Sequence, residues 1–375
     1  MKYIIRNYSV ITGNKNLEHL YTFKDFPVFI GATDQDIKKD LIADLSISIC
    51  KESGIIQLDK ILPPEVVYSG YHSEALGSIW DRHHKEFLEF LKKYNLKNVL
   101  EIGGGNGRMA LDYIKGKTDI RWSIVEPNPV NIDNDQIEYI PVLFDDKFTF
   151  DKKIDAIVHS HAFEHMYFPK AFLEKVTSLL KANQYHIFTL PNLFAYLDNK
   201  FTNVLNFEHT IFITEYFIDY LLSNNGFEIL EKKYFDKHSI FYATKKVDYQ
   251  VSFNFESQYD KYKKMFLDYL EFNTKIINNY NKQIKSFNGK VFLFGAHVFS
   301  QYLLNQGIDK TKIEGILDNS KIKQGKRLYG SSLIIFSPEI LKDKKNVAVI
   351  LRAGVYQDEI RKQISSINPL VAIWE

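Results

Sequence analysis

Apolar and polar positions alternate over short runs up to about residue 66, in KYIIRNYSVIT, DLSISIC and GIIQL, and the pattern stops at LPPE, where two prolines end regular structure. These runs predict a small N-terminal lobe. From Val67 the spacing turns helical in SGYHSEALGSIWDRHHKEFLEFLKKYN, and strands then alternate with helices. KNVLEIG, RWSIVEP, IDAIVHS, YHIFTLP and EILEKKYF read as strands, whereas RMALDYIKG, AFLEKVTSLLKA and TEYFIDYLLSNNGF read as helices. Such alternation means a parallel sheet with crossover helices. Lys261 to Lys285 reads as a long linking helix, and GKVFLFGAHVFSQYLLNQG, KIEGILDNS, VAVILRAG and PLVAIWE then make a second βαβ run. The chain is expected to be α/β, with a small lobe over 1–66, a Rossmann-like core over 67–250 and a second Rossmann-like domain over 251–375.

Candidate chemistry begins at VLEIGGGNGR, where three consecutive glycines follow an apolar strand. Glycine lacks Cβ and tolerates φ > 0, so such a turn lets a ligand touch main-chain atoms. A dinucleotide fingerprint is Gly-x-Gly-x-x-Gly; here Gly103, Gly105 and Gly107 bring the third glycine one residue early. Glu101 beside the turn would repel a pyrophosphate but suits an ammonium group, as at the amino-acid end of S-adenosylmethionine. Glu126, in SIVEPNP at the end of the next strand, is placed to accept both hydroxyls of a ribose. The cofactor expected from these residues is S-adenosylmethionine, leaving as S-adenosylhomocysteine.

Histidines form the second feature. HSHAFEHM places His159, His161, Glu164 and His165 in eight residues, but a strand leading into a helix makes those side chains diverge, and no second His/Cys cluster is visible in the sequence. No metal is expected there. His159, His161 and His186 read as packed or capping residues from the sequence alone. Glu208-His209 lies in FTNVLNFEHTIF, after the TLPN strand and over the sheet edge where doubly wound enzymes hold ligands. A histidine beside a carboxylate at that place is a general-base candidate.

The pattern resembles the class I methyltransferase fold, which implies that Phe144 and Asp145 flank adenine, and that His159 and His161 line the cofactor with Gly103, Gly105, Asn106 and Pro127. The whole chain is similar to the sugar C-methyltransferase family of deoxysugar biosynthesis, which methylates C3 of nucleotide-linked 4-keto-6-deoxyhexoses. GAHVFSQYLLNQGID, GILDNSKIKQGKRLYGSSLIIFSPEIL and ILRAGVYQDEI carry the C-terminal part of that resemblance. It implies His209 as base with Glu208 beside it, His165 and Tyr71 (or Tyr68) on the sugar, and His297, Lys323, Gln324 and Arg352 on the sugar nucleotide. Where the family's catalytic loop reads His-Glu-His, this chain has Phe207, Glu208 and His209. Where the family has two zinc-binding Cys-x-x-Cys pairs, it has Ser9 with Thr12 and Cys50 with Ser53, so a metal-free lobe is expected.

Charge narrows the partners. Forty-eight basic against 46 acidic side chains give a net charge of +2 with no long run of one sign, which points away from nucleic acid and toward a small-molecule substrate. Nowhere do about 18 apolar residues run together, and a soluble, cytoplasmic monomer or homodimer is expected. Three functions fit: sugar-nucleotide methylation on carbon or on a hydroxyl, a tandem Rossmann oxidoreductase using NAD, and a non-catalytic S-adenosylmethionine-binding scaffold. The missing Gly-x-Gly-x-x-Gly speaks against the second.

Overall fold

A computed structural model describes residues 2–68, 77–130 and 132–375. The N-terminal lobe is an antiparallel sheet of β1 (Leu17–Pro27), β2 (Ile42–Cys50) and β3 (Ile56–Leu58). KYIIRNYSVIT supplies only the short strand Ile4–Ile5, because Arg6 turns inward and is buried. Ser9, Thr12, Cys50 and Ser53, the four positions compared above with zinc-binding cysteines, lie together. Ser9 Oγ accepts from Thr12 N at 3.2 Å, Thr12 Oγ1 lies 3.9 Å from Cys50 Sγ, and Cys50 Sγ accepts from Ser53 N at 3.4 Å. Hydroxyl and amide hydrogen bonds thus close both turns.

The central sheet is built from β4 (Asn98–Ile102), β5 (Arg121–Val125), β6 (Ile137–Ile140), β7 (Ala156–Ser160), β8 (Tyr185–Pro191), β9 (Phe227–Phe235) and β10 (Ser239–Lys246). Their spatial order is β9-β10-β8-β7-β4-β5-β6, parallel except for β10, which runs antiparallel to both neighbours. Side chains alternate between two apolar layers, as a sheet covered on both faces requires. Leu100, Ile102, Ile157 and Phe188 face helices α3 (Pro169–Leu179) and α5 (Glu215–Asn224). Val99, Ala156, Val158 and Ile187 face α1 (Ser78–Lys92) and α2 (Arg108–Ile114). A short helix α4 (Leu193–Asp198) follows β8.

Helix α6 (Tyr259–Ser286) leads to a second, all-parallel sheet of β11 (Lys290–Phe294), β12 (Ile313–Leu317), β13 (Ile335–Phe336), β14 (Val347–Ile350) and β15 (Ala372–Trp374), in the order β13-β12-β11-β14-β15. Helices α7 (Val298–Asn305) and α8 (Gln357–Ile367) pack on it. The fold class expected from the sequence is the one observed: a Rossmann-like core of the class I methyltransferase type with a second C-terminal domain. Ala32–Thr33 pairs with Arg327–Leu328, and the Arg327 guanidinium forks onto Asp40 at 2.6 and 2.7 Å, fastening the N-terminal lobe to the C-terminal domain. Among the described residues no helix is long and apolar enough to cross a membrane.

Candidate functional site

Strand β4 lies between β5 and β7, so the chain leaves it for opposite sides of the sheet and opens a crevice at its C-terminal end. The glycine turn fills that point, and each glycine answers a different demand. Gly103, Gly105 and Gly107 have φ of 72°, 52° and 72°. Gly104 is needed for space: a Cβ there would stand 2.7 Å from Ile124 Cγ2 and 2.8 Å from Glu101 Cδ. A Cβ on Gly105 would meet nothing within 4 Å, so the turn shows bare backbone to the open side. Tyr139 of β6 closes the other side, its hydroxyl 3.4 Å from Asn106 O. This cradle fits the amino-acid end of S-adenosylmethionine.

Glu101 sits beneath the turn, buried, with Oε2 accepting from Trp122 Nε1 at 2.7 Å. Burial pushes its carboxyl up to about 7, against the pull of the Trp122 hydrogen bond and with a further push from Glu126. An ammonium group above the turn would favour the ionised form. Glu126 follows β5 at the crevice edge, where Oε1 accepts from Asn128 N at 3.1 Å, and Pro127 is exposed beside it. Beyond β6, Phe144 packs on Phe148 and Phe172, while the exposed Asp145 accepts from Lys147 N and Phe148 N, turning the chain back toward β7.

The histidines separate as their backbone directs. His159 is a correction: expected to line the cofactor, it is fully buried in β7, 4.8 Å from the Phe188 ring centroid and with Nε2 2.9 Å from His186 Nε2. Burial and the neighbouring His186 hold it well below the usual histidine value. His161, at φ 50°, turns instead toward His83 and His238; Nε2 is 3.0 Å from Ser239 Oγ and Nδ1 is 3.3 Å from Glu164 Oε1.

A second cluster gathers at the crevice mouth. The short helical turn Phe163–His165 brings up Glu164 and His165, and the loop before α5 brings Glu208 and His209. Asn206 Oδ1 shapes that loop by accepting from Glu208 N and His209 N, both at 2.8 Å. The His165 and His209 rings are 5.0 Å apart, and ligating atoms of Glu164, His165 and His209 lie within 4.8 Å of one another. Glu208 Oε2 approaches His165 Nδ1 at 3.6 Å, so the carboxylate expected to polarise His209 also faces His165. Burial and His165 lower His209 to about 4, opposed by Glu164 and Glu208, so its ring is neutral at physiological pH. For Glu164, burial pushes upward, but the hydrogen bond from His161 and the charges of His161, His165 and His209 outweigh it and leave the carboxyl below its usual value.

Tyr68 joins this cluster, 6.5 Å from His165 ring to ring. Tyr71 lies outside the described residues. From the C-terminal domain His297 arrives close enough to feel Glu208 and His209, with burial first and then Lys323 holding it down to about 3. The other expected sugar-nucleotide residues are turned to internal contacts. Lys323 Nζ sits 3.6 Å from Asp318 and 3.1 Å from Ala296 O, Gln324 donates to Asp318 O, and Arg352 donates to Lys200 O. The turn at Gly295 is already satisfied, because Asp318 Oδ2 takes the Ala296 amide at 2.8 Å where a phosphate would need it.

Sequence reasoning missed Arg6. Its guanidinium donates to Thr210 O at 3.0 Å and Tyr167 O at 2.7 Å, next to His209 and near His165. An isolated arginine in an apolar run is the only trace it leaves.

A family model described as "Methyltransferase domain" matches residues 74–232, and one described as "C-methyltransferase C-terminal domain" matches residues 247–370. No curated protein matches the sequence. Among solved structures the chain is similar to the N-methyltransferase NodS from Bradyrhizobium japonicum, at 14% identity over 45% of this chain and 96% of that one, with a TM-score of 0.35. It is also similar to a SAM-dependent methyltransferase from Aquifex aeolicus, at 15% identity over 43% and 90%, with a TM-score of 0.35. The two family models, rather than these distant likenesses, carry the assignment: the chain is an S-adenosylmethionine-dependent methyltransferase.

Proposed function

We propose that the enzyme methylates a nucleotide-linked sugar, at C3 of a 4-keto-deoxyhexose, with His209 as general base. The observation that carries this reading is a set of buried polar atoms without a hydrogen-bond partner among the described residues: Glu164 Oε2 and the Nδ1 atoms of His165, His209 and His297. Four such atoms, brought by three segments to the crevice mouth, suit a ligand rich in hydroxyl and keto oxygens, since buried polar groups left alone are costly. A match to a C-methyltransferase C-terminal domain supports carbon as the acceptor.

In this reading S-adenosylmethionine supplies an electrophilic methyl group, held by the glycine turn, Glu101 and Glu126. His209, neutral because it is buried, takes the C3 proton made acidic by the adjacent ketone. The electron pair passes to the keto oxygen, and His165 and Tyr68 steady the enolate through hydrogen bonds. Glu164 and Glu208 stabilise the imidazolium that results. The C3 proton stays on His209; the enolate carbon then bonds to the methyl carbon as the S–CH3 bond breaks, and that electron pair leaves on the sulfur of S-adenosylhomocysteine.

A sugar hydroxyl is the second reading, favoured by Phe207. It stands where the resembled family has a histidine and is wholly buried in the apolar core, so a polar group is lost beside Glu208 and His209. Incubation with S-adenosylmethionine and a panel of keto and reduced nucleotide sugars tests both, with the methyl carbon shift telling C-methyl from O-methyl. His209→Ala should abolish transfer while cofactor affinity stays. Turnover surviving in that variant, or no transfer to any nucleotide sugar, sinks the proposal.

A further inference from the structure

We propose that His83, His161 and His238 form a binding site for a divalent cation of the zinc class, separate from the methyl-transfer cluster. The three come from α1, from the loop after β7 and from the turn between β9 and β10, so no spacing in the sequence announces them. One ring nitrogen of each lies within 4.8 Å of the others. A donor set of imidazoles alone suits zinc and its neighbours in the first transition row, and three protein ligands leave a fourth position.

The surroundings have the form of an outer shell. Glu164 Oε1 is 3.3 Å from His161 Nδ1, and the Tyr356 hydroxyl is 3.4 Å from His238 Nε2. These partners turn His161 Nε2 and His238 Nδ1 toward one point, where Ser239 Oγ stands 3.0 and 2.5 Å from them. Ligating histidines are commonly oriented in this way through the nitrogen that does not bind. Without a cation, Ser239 can donate to one inward nitrogen and accept from the other, provided that ring is the tautomer with its proton turned inward. A cation accepts both lone pairs at once. His83 completes the set, Nε2 3.2 Å from Thr189 Oγ1.

Backbone conformation gives an independent indication. His161 and Asp236 are non-glycine residues at φ 50° and 49°, one presenting its own ring and the other opening the turn that presents His238. Such conformations persist where the surroundings over-determine them. Trp80 roofs the cluster, its ring 4.8 Å from His161 and 4.7 Å from His238. A cation here would tie α1, the β7 loop and the β9–β10 turn together. Through His161 it would also fix Glu164, which faces His165 and His209. The sequence expectation that the HSHAFEHM side chains diverge holds for His159 alone, since His161 meets Glu164 and Glu164 shares a cluster with His165; the partners of His161 come from elsewhere in the chain.

Elemental analysis of the full-length chain after dialysis into metal-free buffer should find about one zinc per chain. After stripping with a chelator, Co2+ titration should give the absorption of a four-coordinate site, saturating at about one equivalent. Cys50→Ser and His209→Ala should retain that signal, and His83→Ala and His238→Ala should lose it. Loss in His209→Ala with retention in His83→Ala and His238→Ala assigns the ion to the neighbouring cluster and overturns the proposal. So does the absence of any saturable Zn2+ or Co2+ binding by the wild type, which leaves a hydrogen-bonded network alone. Should the histidine variants fail to fold, X-ray absorption on the zinc-loaded wild type decides: all-imidazole protein ligation supports the site, and carboxylate or thiolate ligation refutes it. None of these outcomes depends on the sugar reading.

Discussion

Glu101 is a carboxyl with no freedom to move, held under Gly104 and against Trp122. Its value of about 7, against an ordinary 4.5, means the folded chain keeps a proton that the unfolded chain releases. The stability this contributes is fully present below about pH 4.5 and is lost as pH rises through about 7. Glu101→Gln cannot ionise and can still accept from Trp122. In the cofactor-free enzyme the variant should therefore be more stable than wild type at pH 8, by about 1–3 kcal/mol, with the gap closing toward pH 5. Urea unfolding at several pH values measures this. A gap that widens on acidification would show that the buried carboxyl is not the titrating group. The sequence shows an acid beside the turn, but its burial depends on Trp122, from the next strand, reaching back across the sheet.

At the scale of elements, the glycine turn separates two demands that sequence alone merges. Gly104 has no room for a methyl group, whereas Gly105 has open space and a positive φ. Gly104→Ala should destabilise the fold by about 1–3 kcal/mol through overpacking against Ile124 and Glu101. Gly105→Ala should cost about 1 kcal/mol in stability yet weaken cofactor binding about tenfold or more, because the added methyl points to the ligand side. Thermal melting paired with calorimetric titration of S-adenosylhomocysteine distinguishes them, and equal effects on both quantities in both variants would refute the division. The βαβ pattern was legible because the central strands β4, β5, β7 and β8 are buried on both faces and read as apolar runs. Strand β1 was not: its pairing with β2 shifts register at His19/Tyr21 and again at Phe23/Phe26, which breaks the period-2 alternation a strand would show. Helix α4 is only six residues long, too short for helical spacing to register.

At the scale of the whole molecule, the N-terminal lobe is the frame for the loop that carries Glu208 and His209. Leu58 N donates to Thr210 O at 2.9 Å and Phe212 N donates to Ile56 O at 2.8 Å, so β3 pairs with the segment that follows His209. Arg6 fastens the same place from beneath, and burial lowers its guanidinium to about 10, with the Tyr8 and Tyr167 hydroxyls opposing that shift. None of this is visible in the sequence, because the partners are main-chain carbonyls about 160 to 200 residues away, and carbonyls have no residue signature. What the sequence does show, Glu208-His209 and His165, are side chains whose chemistry names them wherever they fall. Arg6→Met keeps the apolar stem and removes the donors, leaving Tyr167 O alone and Thr210 O with the Leu58 amide. Stability should fall by about 1–3 kcal/mol, and kcat on the order of 10–100-fold as the His209 loop loosens. Affinity for S-adenosylhomocysteine should stay within about twofold, since the glycine turn shares no contact with Arg6. If cofactor affinity and kcat fall together, the lobe supports the core as a whole; if neither falls, the β3 pairing alone holds the loop and the arginine is dispensable.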